Sequence, residues 1–138
     1  MNIMELGKLI HLQKIRDLRG NLTVAQKGEN LPFVPQRVYW VYDIPSGGCR
    51  GGHAHKLCLE LIVAVSGSFE VVLDNGKEQK TYFLNNPNQG LLVDTGVWRT
   101  LEKFSSGAVC LVLASEPFEE SDYIREYNEY INYMECLK

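Results

Sequence analysis

The sequence predicts an all-β fold: an antiparallel barrel or sandwich finished by one short C-terminal helix. Three observations carry this. Strand-like runs recur at close spacing, each stopped by Gly, Pro, Asn or Asp. Asn75-Gly76 lies between FEVVLD and KEQKTYFL, the signature of a tight hairpin whose two central residues take positive φ. Near the C-terminus the apolar period changes from two to three or four, through Ile124, Tyr127, Ile131 and Met134.

Taken in order, the expected strands are 7–14, 22–26, 37–44, 53–55, 59–66, 68–74, 77–84, 90–93, 98–104 and 108–114. The helix is expected over 122–135, with Ser121 as its cap and its apolar stripe laid on its own barrel. No repeat, low-complexity tract or linker interrupts the chain, so residues 1–138 are expected to form one domain. At 138 residues, with 45% hydrophobic and 22% charged, the chain is long enough to bury a real core. In the segment 37–44, Arg37, Tyr39 and Val41 share one face and Val38, Trp40 and Tyr42 the other; an Arg-x-Tyr face suits a polar pocket.

Fourteen Lys and Arg against 17 Asp and Glu give a net charge of −3. No global positive field is available for nucleic acid or an anionic membrane, so any anion must be gripped locally. No apolar run approaches the roughly 18 residues of a membrane span, and the first residues lack a leader pattern; a soluble, cytoplasmic protein is expected. Cys49, Cys58, Cys110 and Cys136 form no CxxC pair and read as reduced thiols.

The chemistry concentrates in SGGCRGGHAHK. Its glycines allow close backbone approach, and His53 and His55 alternate onto one face. Two imidazoles on one wall can bind a metal or move protons. Gly47, His53-x-His55, Glu60 and Gly67 reproduce the spacing of the first signature of the cupin small barrels, and the chain resembles a cupin-type antiparallel jelly roll. In metal-binding cupins these two histidines and the glutamate are ligands, joined by another histidine on a later strand. Here Arg99 occupies that position and Asp94 stands where Pro is usual. Arg has no lone pair to offer and attracts anions, so a metal-free site with no cofactor is expected.

A wider resemblance follows from RVYWVYDIP, RGGHAHK, the NG turn, Val97-Trp98, LAS and the acidic DYIR stretch before the helix. From Arg19-Gly20 to Tyr127 the chain resembles the sugar-nucleotide 3,4-ketoisomerases, the WxcM-like or FdtA/QdtA type of cupin. The resemblance implies isomerisation of dTDP-4-dehydro-6-deoxy-α-D-glucose to a dTDP-3-dehydro-6-deoxy-hexose, a step toward dTDP-linked 3-amino sugars. Such a reaction needs a base for the C3 proton, donors for an enediol intermediate, and an acid for C4.

His55 is expected to be the base and His53 its acid or shuttle partner, with Tyr39 a third catalytic candidate; a core aromatic with a satisfied hydroxyl is the other reading of Tyr39. Arg50 and Arg99 are placed to hold the enediolate or the diphosphate, Arg37 to share the pocket face, and Arg19 to help with phosphate. Trp98 either stacks on thymine or fills the core. Glu60 either orients His55 or is a plain strand carboxylate. A homodimer is expected, since exposed sheet edges need a partner or closure. Three other readings stay open: a metal-dependent cupin enzyme using His53, His55 and Glu60, a sugar-nucleotide epimerase, and a non-catalytic sugar-binding cupin.

Overall fold

The computed structural model describes residues 6–137. Twelve short strands and one helix follow in the order β1 (Lys8–His11), β2 (Gln13–Ile15), β3 (Leu22–Val24), β4 (Arg37–Val41), β5 (Arg50–His55), β6 (Glu60–Ser66), β7 (Phe69–Asp74), β8 (Gln79–Leu84), β9 (Gln89–Val93), β10 (Trp98–Glu102), β11 (Val109–Ala114), β12 (Tyr123–Ile124) and α1 (Tyr127–Cys136). One antiparallel sheet has the order β1-β9-β6-β11-β4 and the other β12-β5-β10-β7-β8. Alternating apolar residues from both sheets meet between them: Ile62, Leu91, Cys110 and Val112 from the first, Phe69, Val71, Leu73 and Leu84 from the second. That is a jelly-roll sandwich with its core between the layers.

Four local expectations change. The run 7–14 breaks at Leu12, which is buried and donates its N–H to the Asn88 carbonyl at 2.8 Å. β1 therefore stays in the first sheet against β9, while β2 leaves it to pair only with β3 as an exposed ribbon. The hairpin at Asn75-Gly76 exists, but Asp74 pairs with Gln79, so the loop is four residues long. Only Gly76 takes positive φ, at 91°. Asn75 acts through its side chain, whose Oδ1 accepts the N–H groups of Lys77 and Glu78 at 2.9 and 2.8 Å.

At the C-terminus, residues 120–122 form a single 3-10 turn and 123–124 pair with β5, Tyr123 opposite His55. Pairing competes with helix here, so α1 starts at Tyr127 instead of 122, and Ser121 caps nothing. β5 reaches back to Arg50, three residues earlier than expected. The helix covers the outer face of the second sheet as its apolar spacing requires: Tyr130 is fully buried with Ala54, Trp98 and Ile124.

Candidate active site

The two sheets part at one end, leaving a cleft of about 790 Å³ between β4, β6 and β11 on one side and β5 and β10 on the other. Alternation decides which side chains enter it. On β4, Arg37 and Tyr39 line the cleft, whereas Val38 and Trp40 are 47% and 57% exposed on the outside. The Arg-x-Tyr face is thus the pocket face. On β10, Arg99 enters and Trp98 turns away into the layer beneath α1. The thymine-stacking reading of Trp98 fails for this reason: adjacent strand residues face opposite sides.

Arg99 lies directly across from His53 in the β5–β10 ladder. From the opposite sheet comes Glu60, and the two layers are joined through it. Glu60 Oε1 accepts from Arg99 Nη1 at 2.7 Å, and Oε2 accepts from the Tyr39 hydroxyl at 2.7 Å. Arg99 Nη2 donates to the Val97 carbonyl at 2.8 Å. Both ends of this pair are buried, Arg99 2% and Glu60 1% exposed. Burial alone would raise the Glu60 carboxyl; its contact with His55 and the charge of Arg99 overcome this and hold it below the usual range. Burial, then the Glu60 carboxylate, pushes the Tyr39 phenol above its usual range, so it stays a hydrogen-bond donor.

The histidines sit at different depths. His53 lines the cleft and its Nε2 is buried with no hydrogen-bond partner. Burial, followed by the positive charge of Arg99, pushes its imidazole down to about 3. It is neutral near pH 7, with a free lone pair. His55 is fully buried behind it, the rings edge to face at 4.9 Å between centroids. His55 Nε2 is 3.5 Å from Glu60 Oε2, and Nδ1 is 2.9 Å from Asp122 Oδ2.

Arg50 lines the mouth of the cleft, and Arg37 and Arg125 its wall. Arg37 is caged by the rings of Tyr39, Phe118 and Tyr123, 5.3 to 6.0 Å from its guanidinium carbon, and its Nε has no partner. Arg19 is elsewhere: it sits between β2 and β3, its side chain 90% exposed and paired with Asp17 at 2.8 Å. It does not line the cleft of its own chain. Sequence reasoning missed Phe118, Tyr123, Arg125 and Asp122 as site residues, although DYIR was part of the resemblance. A helical reading of 122–135 hid the alternation that brings Tyr123 and Arg125 inward.

Donor atoms of His53, His55 and Glu60 fall within 4.8 Å of one another, as a metal site would need. The set does not suit a divalent cation, however. Both Glu60 oxygens are committed to Arg99 and Tyr39, and the guanidinium charge is already at the group. The cluster serves a buried ion pair.

A family model described as FdtA, WxcM-like, C-terminal, matches residues 5–135. A TDP-4-oxo-6-deoxy-alpha-D-glucose-3,4-oxoisomerase from Aneurinibacillus thermoaerophilus is 39% identical over 128 residues, 93% of this chain and 92% of that one. The crystal structure of QdtA, a sugar 3,4-ketoisomerase from Thermoanaerobacterium thermosaccharolyticum in complex with TDP, is 35% identical, covers 98% of each chain and superposes with a TM-score of 0.93. A variant of that ketoisomerase in complex with TDP-4-keto-6-deoxyglucose is 34% identical over 97% of each chain, with a TM-score of 0.92.

Proposed function

The chain belongs to the FdtA, WxcM-like family, and from that premise we propose that it is a sugar-nucleotide 3,4-ketoisomerase. Its substrate is dTDP-4-dehydro-6-deoxy-α-D-glucose and its product a dTDP-3-dehydro-6-deoxy-hexose. The observation that carries this reading is His53, a neutral imidazole on the cleft wall whose buried Nε2 has no partner, directly across from Arg99 and beside the Glu60 network.

In the reaction His53 takes the C3 proton. The C3–H electrons form a C3=C4 bond and the C4 carbonyl oxygen becomes the enediolate oxygen. The proton then returns to C4 while the O3 hydroxyl proton passes to O4, leaving a carbonyl at C3. Electrons stay within the sugar. An imidazole can both accept and donate a proton, which suits the one group that must take the proton from C3 and return it to C4. The geometry favours His53 as the imidazole in contact with the sugar and His55 as its buried support, the reverse of the division expected from sequence. Arg99, whose buried Nε has no partner, supplies a fixed cation beside the developing oxyanion, and Tyr39 holds the Glu60 carboxylate that anchors it. Arg37 and Arg50 offer two cations for the diphosphate, and Arg125, which Glu120 holds through two hydrogen bonds at 2.7 and 3.1 Å, adds a third that must exchange that partner. The chain's net charge of −3 does not oppose this, since the grip is local.

Two coarser expectations are carried with it. No helix among the described residues is long and apolar enough to cross a membrane, and an enzyme of sugar nucleotides would work in the cytoplasm where they are made. The exposed Val38 and Trp40 on edge strand β4, with exposed Tyr42 just after it, support a homodimer.

The test is incubation with dTDP-4-dehydro-6-deoxyglucose in deuterated buffer, followed by NMR. Label and carbonyl exchange at C3 and C4 are expected. Label confined to C5 would replace the ketoisomerase with an epimerase. His53→Asn and His55→Asn should each lower kcat by about 10² to 10⁴.

A further inference from the structure

We infer that Asp122 is the positioning residue of the histidine pair: it holds a proton on His55 Nδ1, so that Nε2 is the nitrogen presented to Glu60 and the cleft floor. Resting on the ketoisomerase reading, this gives the acidic stretch before the helix a task in the reaction.

The 3-10 turn at Glu120–Asp122 grips the segment after β5 through three contacts. Asp122 Oδ2 lies 2.9 Å from His55 Nδ1, Oδ1 accepts the Leu57 N–H at 2.6 Å, and the Asp122 carbonyl accepts the Lys56 N–H at 3.0 Å. Immediately after the turn, Tyr123 pairs with His55 and Ile124 with Ala54. Turn and strand therefore clamp His55 on its backbone and on its ring. The imidazole is fully buried and Asp122 is 9% exposed.

An ionised carboxylate only accepts hydrogen bonds. With Oδ1 occupied by a backbone N–H and Oδ2 at 2.9 Å, His55 Nδ1 must be the donor. Of the other titratable groups around His55, the Cys58 thiol donates to the Leu59 carbonyl at 3.4 Å, the Tyr123 hydroxyl accepts from Arg37 Nη1 and Glu60 faces Nε2, so none of them bonds Nδ1. A carboxylate behind an imidazole fixes its tautomer and its orientation. Here it leaves Nε2 on the side of Glu60 and of the His53 ring, where the proton traffic of the reaction passes.

Asp122→Asn separates this role from mere packing. The amide keeps the shape but has a single oxygen, and two donors need it. If that oxygen keeps the Leu57 N–H, its NH2 faces Nδ1 and forces the His55 proton onto Nε2. Two-bond ¹H–¹⁵N spectra of the full-length protein, with the His55 signals identified by their loss in His55→Asn, read the tautomer directly. Wild type is expected to carry a proton on Nδ1 and Asp122→Asn to leave Nδ1 bare with the proton on Nε2, with kcat lowered by about 10- to 100-fold and KM little changed. A bare Nδ1 in wild type overturns the proposal, and that spectrum needs no variant to fold. So does a variant with the flipped tautomer and full kcat. Wild type inactive on the sugar nucleotide would instead remove the ketoisomerase reading, leaving the tautomer measurement to decide the job of Asp122.

Discussion

Arg99 and Glu60 form a buried ion pair that depends on both members. The guanidinium donates through Nη1 to Glu60 and through Nη2 to the Val97 carbonyl, with Nε left unpartnered, and the carboxylate accepts from Arg99 and Tyr39. Removing one charge strands the other in a site that is 1% exposed. Arg99→Met should therefore cost about 3 to 5 kcal/mol, measured by urea unfolding. Adding Glu60→Gln should recover part of the loss, because the stranded charge goes with it. A single variant that unfolds with wild-type stability would show that the carboxylate finds another partner. Each residue was individually legible from the sequence, Glu60 by cupin spacing and Arg99 by the missing histidine. Their contact was not, because it crosses between sheets and no local pattern encodes it.

The same limit shows at the scale of elements. Alternation correctly placed Arg37 with Tyr39 and both histidines on one side of β5, since a two-residue period fixes a face once one member is known. What it could not reveal was competition for the same residues: Tyr123 and Ile124 carry helical spacing yet pair with β5, and Leu12 breaks an apparently continuous strand. The glycines of β5 show why that strand has its sequence. A Cβ on Gly52 would stand 2.3 Å from Trp98 Cζ2, while one on Gly51 would meet nothing within 4 Å. Trp98 is wedged against Tyr130 and Tyr127, at 5.6 and 5.3 Å between ring centroids, and has little room to yield. Gly52→Ala should push β5 off β10, destabilise the fold by about 1 to 3 kcal/mol and lower kcat by displacing His53. Gly51→Ala should stay within about 0.5 kcal/mol of wild type. Thermal unfolding of the two variants, side by side, checks the contrast; equal losses would mean that the crowding at Trp98 is not what demands glycine.

For the whole molecule, burying the site makes stability a function of pH. His53 is pushed from 6.5 to about 3 in the folded protein. Between those values the unfolded chain binds a proton that the native state refuses, so stability must fall as pH falls. The contribution is fully present above pH 6.5 and is lost progressively toward pH 3, at no more than about 1.4 kcal/mol per pH unit. Glu60 acts in the same direction but later: its folded value lies below the reference of 4.5, so its contribution begins to fade only beneath that pH. The interval from pH 6.5 to 5 therefore isolates the histidine from the carboxylate. Urea unfolding across that interval should show a midpoint that drops with acidification in wild type. In His53→Asn the slope should flatten, because asparagine takes up no proton in either state. A wild-type midpoint independent of pH over this interval would show that His53 is solvated enough to protonate in place, and the neutral base at the cleft would lose its physical basis.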